Sequence, residues 1–166
     1  MLSFSFVMLG FLTGFIHVFM KRKQLSKLEK AELLLLYFFV FGVGCTGIMA
    51  FIGHVLFPEV IAPMIGWQVS PFQREVGFHD GAWALLAILA IWIRGSFWTA
   101  IVIGWSFFMV CAGLGHLYET VTAGNYAFYN FGMIFIDFGN AAILTALWLR
   151  WFWAEKEIKS DKRAIS

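Results

Sequence analysis

Charged residues, prolines and cysteines are all scarce in this sequence of 166 residues. Asp, Glu, Lys and Arg make up 13% of it, against roughly 25% in ordinary soluble domains, which excludes a soluble globular fold. The net charge of +2 is small and gives no reason to expect a nucleic-acid partner. Cys45 and Cys111 lack the paired spacing of a zinc finger or a redox motif. No catalytic triad, phosphate-binding glycine loop or dinucleotide fingerprint occurs where a strand and a helix could use it.

Apolar residues fill the sequence instead. The hydrophobic fraction is 61%, above the ~45–50% of globular proteins, and the mean hydropathy is +0.80. Apolar runs of about 20 residues cross a bilayer as helices, because a helix satisfies its own backbone hydrogen bonds. We therefore predict an all-α integral membrane bundle over residues 1–166, with five transmembrane helices and a cytoplasmic tail. The predicted spans are residues 2–20, 31–57, 72–93, 96–119 and 127–149, and the tail is residues 150–166.

The positions of the basic residues predict the orientation of the bundle. Lysines and arginines near span ends favour the cytoplasmic side of the membrane. With five spans, all of the 12 basic residues except Arg74 lie on one side. The N-terminus is therefore predicted outside and the C-terminus in the cytoplasm, as in a multi-pass protein of the inner (cytoplasmic) membrane.

Polar side chains within the predicted spans concentrate toward the outer side. Residues three or four positions apart share a helix face, and the last three spans each carry such a pair: Glu75 with His79, His116 with Glu119, and Asp137 with Asn140. Glycines near these pairs, such as Gly77, Gly81 and Gly113, let helix backbones approach closely. We therefore predict a tight bundle of the third, fourth and fifth spans with the polar pairs facing inward.

Carboxylates and imidazoles at a similar depth on facing helices favour a metal site. We predict a divalent ion, namely zinc, iron or manganese, because these ions accept mixed Glu and His ligands. The predicted ligands are Glu75, His79, His116, Glu119 and Asp137, and the residues predicted to support them are Asn140, Arg74 and His54. In an enzyme the metal would polarise a substrate or activate water. The sequence identifies no catalytic residue, so enzyme activity stays open.

Two alternatives to a metal site stay open. In the first, the same groups form a structural network, with Arg74 neutralising a nearby carboxylate, in a non-catalytic membrane subunit or assembly factor. In the second, the protein binds haem or relays protons. His54 paired with His79 or His116 would supply two axial haem ligands.

Partners other than the lipid bilayer are predicted from the first span and from one loop. Gly10 and Gly14 form the G-x-x-x-G spacing of close helix contacts, which indicates a homo-oligomer or a partner within a membrane complex. The loop from Pro58 to Pro71 contains Trp67, a residue type favoured at membrane interfaces. We expect this loop to lie on the membrane surface over the polar site.

Three segments carry a resemblance to known proteins: "SPFQREVGF" (70–78), "GLGHLYE" (113–119) and "DFGNAAIL" (137–144). Together they resemble a family of small bacterial multi-spanning membrane proteins known only as a domain of unknown function. A looser similarity is to DoxX-like membrane proteins, which also place a glutamate followed by a glycine at a span start. The resemblance covers about the last hundred residues and implies no activity. Its motifs include Glu75, His116, Glu119, Asp137 and Asn140.

Overall fold

Helices make up nearly all of the chain in this computed structural model, which describes the backbone of residues 2–165 and the side chains of residues 5–160. No strand occurs within residues 2–165, so the predicted all-α class is confirmed. The α-helices are α1 (Leu2–Met20), α2 (Lys27–Tyr37), α3 (Thr46–Phe51), α4 (Pro58–Ile65), α5 (Pro71–Leu89), α6 (Ser96–Ala123) and α7 (Phe128–Ile165). Two π-helical segments, Phe38–Cys45 and Ile52–Leu56, flank α3.

Residues 27–56 form one continuous helix, because the two π segments join α2 and α3 without a break. Ser26 starts this helix with a capping box, in which its hydroxyl accepts from the Glu29 amide and the Glu29 carboxylate accepts from the Ser26 amide. The helix ends at Phe57, before Pro58 begins α4. The π turns change the positions of backbone carbonyls relative to an α-helix. One of these carbonyls, that of Gly42, accepts a hydrogen bond in the interior of the bundle.

Three of the described helices are long and apolar enough to cross a membrane: Lys27–Leu56, Ser96–Ala123 and Phe128–Ser160. A shorter apolar helix covers Ser5–Met20. Many large apolar side chains point away from the protein, including Phe19 at 65% exposure and Phe107 at 71%. Apolar surface on this scale is unusual for a soluble monomer and is typical of helices that face lipid.

The bundle has two chemically different ends. At one end, called the basic end, Lys27 pairs with Glu157 and Arg94 pairs with Glu32, which brings together the start of α2, the end of α5 and the late part of α7. At the other end, called the cleft end, the segment after α4 meets the α6–α7 connection. Gly66 ends α4 in a left-handed conformation (φ 83°) that favours glycine, and a Cβ there would lie 2.5 Å from Asn125 Oδ1.

The glycines expected to bring the last three spans together pack mainly elsewhere. Gly77 and Gly81 face the side chains of residues 51–55 in the 27–56 helix, whereas only Gly113 packs between α6 and α7. Gly10 and Gly14, predicted as an oligomer contact, instead face Tyr37 and Phe41 of the same chain. Glycine spacing thus identified close helix contacts, but the partner helix depends on the tertiary fold.

The first four predicted spans coincide with described helices to within four residues at each end, whereas α4 (Pro58–Ile65) lies in a segment predicted as a loop and α7 extends well beyond the fifth predicted span. The predicted tail is not a separate segment, because α7 continues without interruption to Ile165. No glycine or proline follows Gly139, and an i, i+4 ion pair between Glu155 and Lys159 supports the extension. The side chains of residues 161–166 of the predicted tail lie outside the described part.

Candidate functional site

Buried polar side chains collect in the interior toward the cleft end and line the faces where four helices meet. We call this set the polar core. Its members lie on the 27–56 helix, α5, α6 and α7, and they are Thr46, Gln73, Asp80, His116, Thr120, Asn130, Asp137 and Asn140. Polar groups inside a membrane protein are costly unless they are paired, so each of them needs an explanation.

Asp137 is the most unusual member of the polar core. Its residue is 1% exposed, and neither carboxylate oxygen has a hydrogen-bond partner among residues 5–160. His116 Nε2 lies 3.9 Å from Asp137 Oδ2, beyond the reach of a direct hydrogen bond. Asp80 on α5 is also buried and interacts electrostatically with Asp137. Two acids and an imidazole therefore share one interior region.

His116 is held in one orientation by its neighbours. Its Nδ1 lies 2.8 Å from Asn130 Oδ1, and because that oxygen can only accept, Nδ1 carries the proton. The Asn130 amide is itself fixed, since its Nδ2 donates to His116 O, Thr120 Oγ1 and Asn125 O. The Trp67 ring stacks on the imidazole at 5.6 Å with a 12° interplanar angle. These contacts leave Nε2 directed toward Asp137.

The polar core ends, toward the basic end, at Asn140. Its Oδ1 accepts a hydrogen bond from Trp105 Nε1 at 2.9 Å, and its Nδ2 donates to Gly42 O at 2.8 Å. Gly42 lies in the first π segment, whose geometry leaves this carbonyl available to a side chain. Asn140 is therefore fully engaged in joining α6, α7 and the 27–56 helix.

An open cleft of about 740 Å³ lies above the polar core at the cleft end. Glu119 lines this cleft, and its Oε2 accepts from Trp67 Nε1 at 2.7 Å and from Asn125 Nδ2 at 3.0 Å. Trp67 thus contacts both Glu119 and His116. Much of the predicted loop between Pro58 and Pro71 is helix α4 (Pro58–Ile65), and Trp67 beyond it packs over His116; its position on a membrane surface stays a prediction.

The five predicted metal ligands are not brought together. His116 and Asp137 meet in the polar core and Glu119 lies at the cleft, but Glu75 and His79 are exposed. His79 Nε2 accepts from Trp83 Nε1 at 2.8 Å, and its ring contacts Phe108. Within residues 5–160, no three His, Cys, Asp or Glu side chains form a group that could hold a metal ion. A bound metal ion stays a prediction, and its five predicted ligands do not lie together.

Glu75 and His79 are exposed because of the rotation of α5 about its own axis. The buried positions of this helix are Gln73, Gly77, Asp80, Ala84 and Ala87, a spacing of four and three residues typical of a packed helix face. Asp80 follows His79 by one residue and so points about 100° away from it. The face containing Glu75 and His79 was predicted to point inward, and the face containing Asp80 does so instead. The run of small residues on the Asp80 face was the available signal.

The three residues predicted to support the ligands lie in different surroundings. Asn140 belongs to the polar core, and His54 Nδ1 lies 3.3 Å from Gln73 Nε2. Arg74 is exposed and forms no ion pair among residues 5–160. Sequence reasoning did not select Gln73, Asn130, Thr120 or Asn125, because uncharged polar residues are common and carry no motif here.

Comparison with known proteins gives a family but no function. No curated protein and no solved structure matches the chain. A family model described as "Family of unknown function (DUF6790)" matches residues 1–157. This match includes the first two helices, beyond the last hundred residues that carried the resemblance in sequence, and the DoxX-like similarity stays a prediction. The chain belongs to this family of unknown function, DUF6790.

Proposed function

We propose that this protein is an integral membrane protein whose buried carboxyl pair, Asp80 and Asp137, takes up and releases protons from one face of the membrane. The observation that carries the proposal is the setting of Asp137, which is 1% exposed with both oxygens lacking partners within residues 5–160. An unpaired buried charge costs several kcal/mol. A carboxyl in this setting therefore exchanges a proton or binds a cation rather than staying ionised and alone.

His116 is the group that would exchange protons with Asp137. Its Nδ1 proton is committed to Asn130, so Nε2 is the nitrogen available for transfer, and it would have to approach Asp137 Oδ2 from 3.9 Å to hydrogen-bond distance. Glu119 lies three residues further along α6 and lines the cleft. Chains of Asp, Glu and His side chains of this kind are the usual proton relays of membrane proteins. The proposed route runs from the cleft through Glu119 and His116 to the carboxyl pair.

We propose that protons reach the carboxyl pair from one face because of the packing between Asn140 and the basic end. There the core consists of closely packed large residues, including Phe39, Trp98 and Trp151. Close-packed rings leave no polar path toward the basic end. We therefore propose a proton-binding membrane protein with one-sided access in this conformation rather than an open channel.

The proposal includes five membrane spans, with the cleft end outside the inner membrane and the basic end in the cytoplasm, as the basic residues favour. Labelling with a membrane-impermeant maleimide tests this orientation. In a background with Cys45 and Cys111 replaced by alanine, Gln68→Cys at the cleft should be labelled in intact cells and Lys23→Cys only after lysis. The opposite pattern would reverse the orientation.

Infrared difference spectroscopy of purified protein during a pH change tests the proton site directly. We expect a carbonyl band of a buried carboxylic acid that responds to pH and shifts in D₂O. Asp137→Asn should remove or reduce this band. Glu75→Gln is the matched control, because Glu75 is an exposed carboxylate on α5, and it should leave the band unchanged. A band that is unchanged in Asp137→Asn, or a wild type without such a band, would overturn the proposal.

The same preparation distinguishes the other hypotheses. Stoichiometric zinc, iron or manganese that is lost in Asp137→Asn would favour the metal site, and a Soret absorption would favour haem bound between His54 and His116. A protein with neither metal nor haem and no pH-sensitive carboxyl would favour the structural network of a non-catalytic subunit.

A further inference from the structure

In this cleft the side-chain donors of Trp67 and Asn125 are used within the protein, whereas the acceptors Gln73 Oε1 and Glu119 Oε1 have no partner in the described part of the chain. Trp67 Nε1 donates to Glu119, and Asn125 Nδ2 donates to Ile65 O and Glu119. None of the lining residues, all within the described part of the chain, is Lys, Arg or His. Gln68 and Ser70 carry both donors and acceptors, so they do not select the charge of a ligand.

Gln73 supplies the first open acceptor. The residue is 3% exposed and lines the cleft, yet its Oε1 has no hydrogen-bond partner among residues 5–160. Pro58 O lies 3.5 Å from Nε2 and would repel Oε1, and His54 Nδ1 lies 3.3 Å from Nε2, which in this orientation requires that His54 Nδ1 accept. Flipping the amide would therefore bring two acceptors together. A buried acceptor of this kind needs a donor from another source.

Glu119 supplies the second open acceptor together with a negative charge. Both donors that hold this side chain reach Oε2, and Oε1 has no partner in the described part of the chain. Holding one oxygen in place orients the other without side-chain rearrangement on binding, which lowers the entropic cost of recognition. Glu119 is the only ionisable residue that lines the cleft.

We propose that this cleft binds a primary ammonium group, which carries a positive charge and three N–H donors. Gln73 Oε1 and Glu119 Oε1 are its acceptors. The ammonium group belongs either to a soluble amine or to an aminophospholipid headgroup, since the cleft lies beside exposed apolar side chains such as Phe72 at 74% exposure. Its volume of about 740 Å³ is within the range of sites for small molecules, roughly 300–1,000 Å³.

Ethanolamine and choline form a matched pair of soluble probes, because choline keeps the charge and loses all three N–H donors. By isothermal titration in a non-ionic detergent, we expect saturable binding of ethanolamine, and binding of choline weaker by about tenfold. Glu119→Gln retains acceptors for Trp67 and Asn125, and it should weaken ethanolamine binding by about tenfold or more. Glu75→Gln, at an exposed carboxylate outside the cleft, should bind like the wild type.

Nanodiscs distinguish the two sources of the ammonium group. A lipid ligand predicts that thermal unfolding shifts upward in phosphatidylethanolamine relative to phosphatidylcholine, and that Glu119→Gln abolishes the difference. A soluble ligand predicts ethanolamine binding and no difference between the two lipids. Gln73→Leu is a second variant, which should weaken the preferred ligand while the Glu119 carboxylate stays intact.

The proposal is overturned if neither ethanolamine nor phosphatidylethanolamine is preferred over its choline counterpart, or if the preference survives in a folded Glu119→Gln variant. This site shares Glu119 with the proposed proton route, but it does not include the buried carboxyl pair, Asp80 and Asp137. Failure of amine binding with an intact infrared band of Asp137 would reject only the cleft proposal, and the reverse result would reject only the proton site.

Discussion

The two halves of this bundle differ in the side chains that they bury. In the half near the basic end, large side chains such as Phe38, Phe39 and Trp98 are buried at 2% exposure or less. In this packed half, Trp98 Nε1 donates to Ala90 O, although Trp151 Nε1 has no partner among residues 5–160. In the polar half, nearer the cleft, Asp137 and Asp80 are buried at 1% and 4% exposure.

The large apolar side chains of the packed half stabilise the fold, whereas the buried carboxyl groups of the polar half do not. Rings and aliphatic side chains gain free energy when they are packed. A buried carboxyl without a partner loses free energy, and such local inconsistencies are typical of functional sites. The packed half therefore supplies the stability that allows the polar half to hold Asp80 and Asp137.

The largest effect is expected in the packed half, from Trp98→Ala. The Trp98 side chain is fully buried and packs against Phe39 and Trp151, so its removal should lower the free energy of unfolding by about 3–5 kcal/mol. Denaturant unfolding in detergent measures this change. Trp92→Ala, at 70% exposure, is the control and should unfold like the wild type. Equal effects at both positions would contradict the described packing.

A smaller loss is expected where the 27–56 helix meets α5 beside Asp80. A Cβ at Gly47 would lie 2.7 Å from the Asp80 carbonyl oxygen and 3.0 Å from Ala84 Cβ. Because backbone atoms cannot rotate away, Gly47→Ala should cost about 1–3 kcal/mol. Gly139→Ala has no atom within 4 Å of the new Cβ and should be neutral or stabilising by up to ~1 kcal/mol. Thermal unfolding of the pair tests the helix contact.

In the polar half, a substitution should stabilise the protein instead of destabilising it. Asp137→Asn keeps the size of the side chain and removes an ionisable group that has no partner, so it should stabilise the protein by about 1 kcal/mol. Thermal unfolding at neutral pH measures this gain, and Glu75→Gln should show none. A less stable Asp137→Asn variant would mean that the carboxyl contributes to folding and would remove the contrast between the two halves.

The smallest effect is expected at the surface of the basic end. Lys27 and Glu157 form an ion pair whose side chains are 71% and 58% exposed. Exposed pairs contribute about 0–1 kcal/mol, so a double-mutant cycle of Lys27→Ala and Glu157→Ala should give a coupling energy in that range, weakened by salt. A coupling energy well above it would show that the basic end contributes to stability as well as to orientation.

The positions of the helices could be predicted closely from the sequence, whereas the inward face of α5 could not. Span ends follow from local signals, such as Pro71 at the first position of α5 and Gly124 after α6. The inward face of α5 contains either His79 or Asp80, because consecutive residues of a helix point about 100° apart. Ionisable residues at i, i+4 suggested the wrong face, because charge pairing was given more weight than the small residues that pack.

Three of the eight members of the polar core were also predictable. His116, Asp137 and Asn140 were selected from their spacing on α6 and α7, which are adjacent in sequence and pack against each other at Gly113. Asn130 and Gln73 were not selected, since their roles depend on the atoms that they meet across the bundle. The contact with Asn130 fixes the His116 tautomer, and Pro58 O and His54 Nδ1 orient the Gln73 amide.

By itself, the sequence determined the helical class, the apolar character and the polarity of the two ends, because these properties depend on composition and on residues close together in the chain. The tertiary structure decided which polar groups meet, since a rotation of about 100° between consecutive helix positions moves a side chain from lipid to core. Asp80 is buried where Gly47 and Ala84 allow the 27–56 helix and α5 to approach closely.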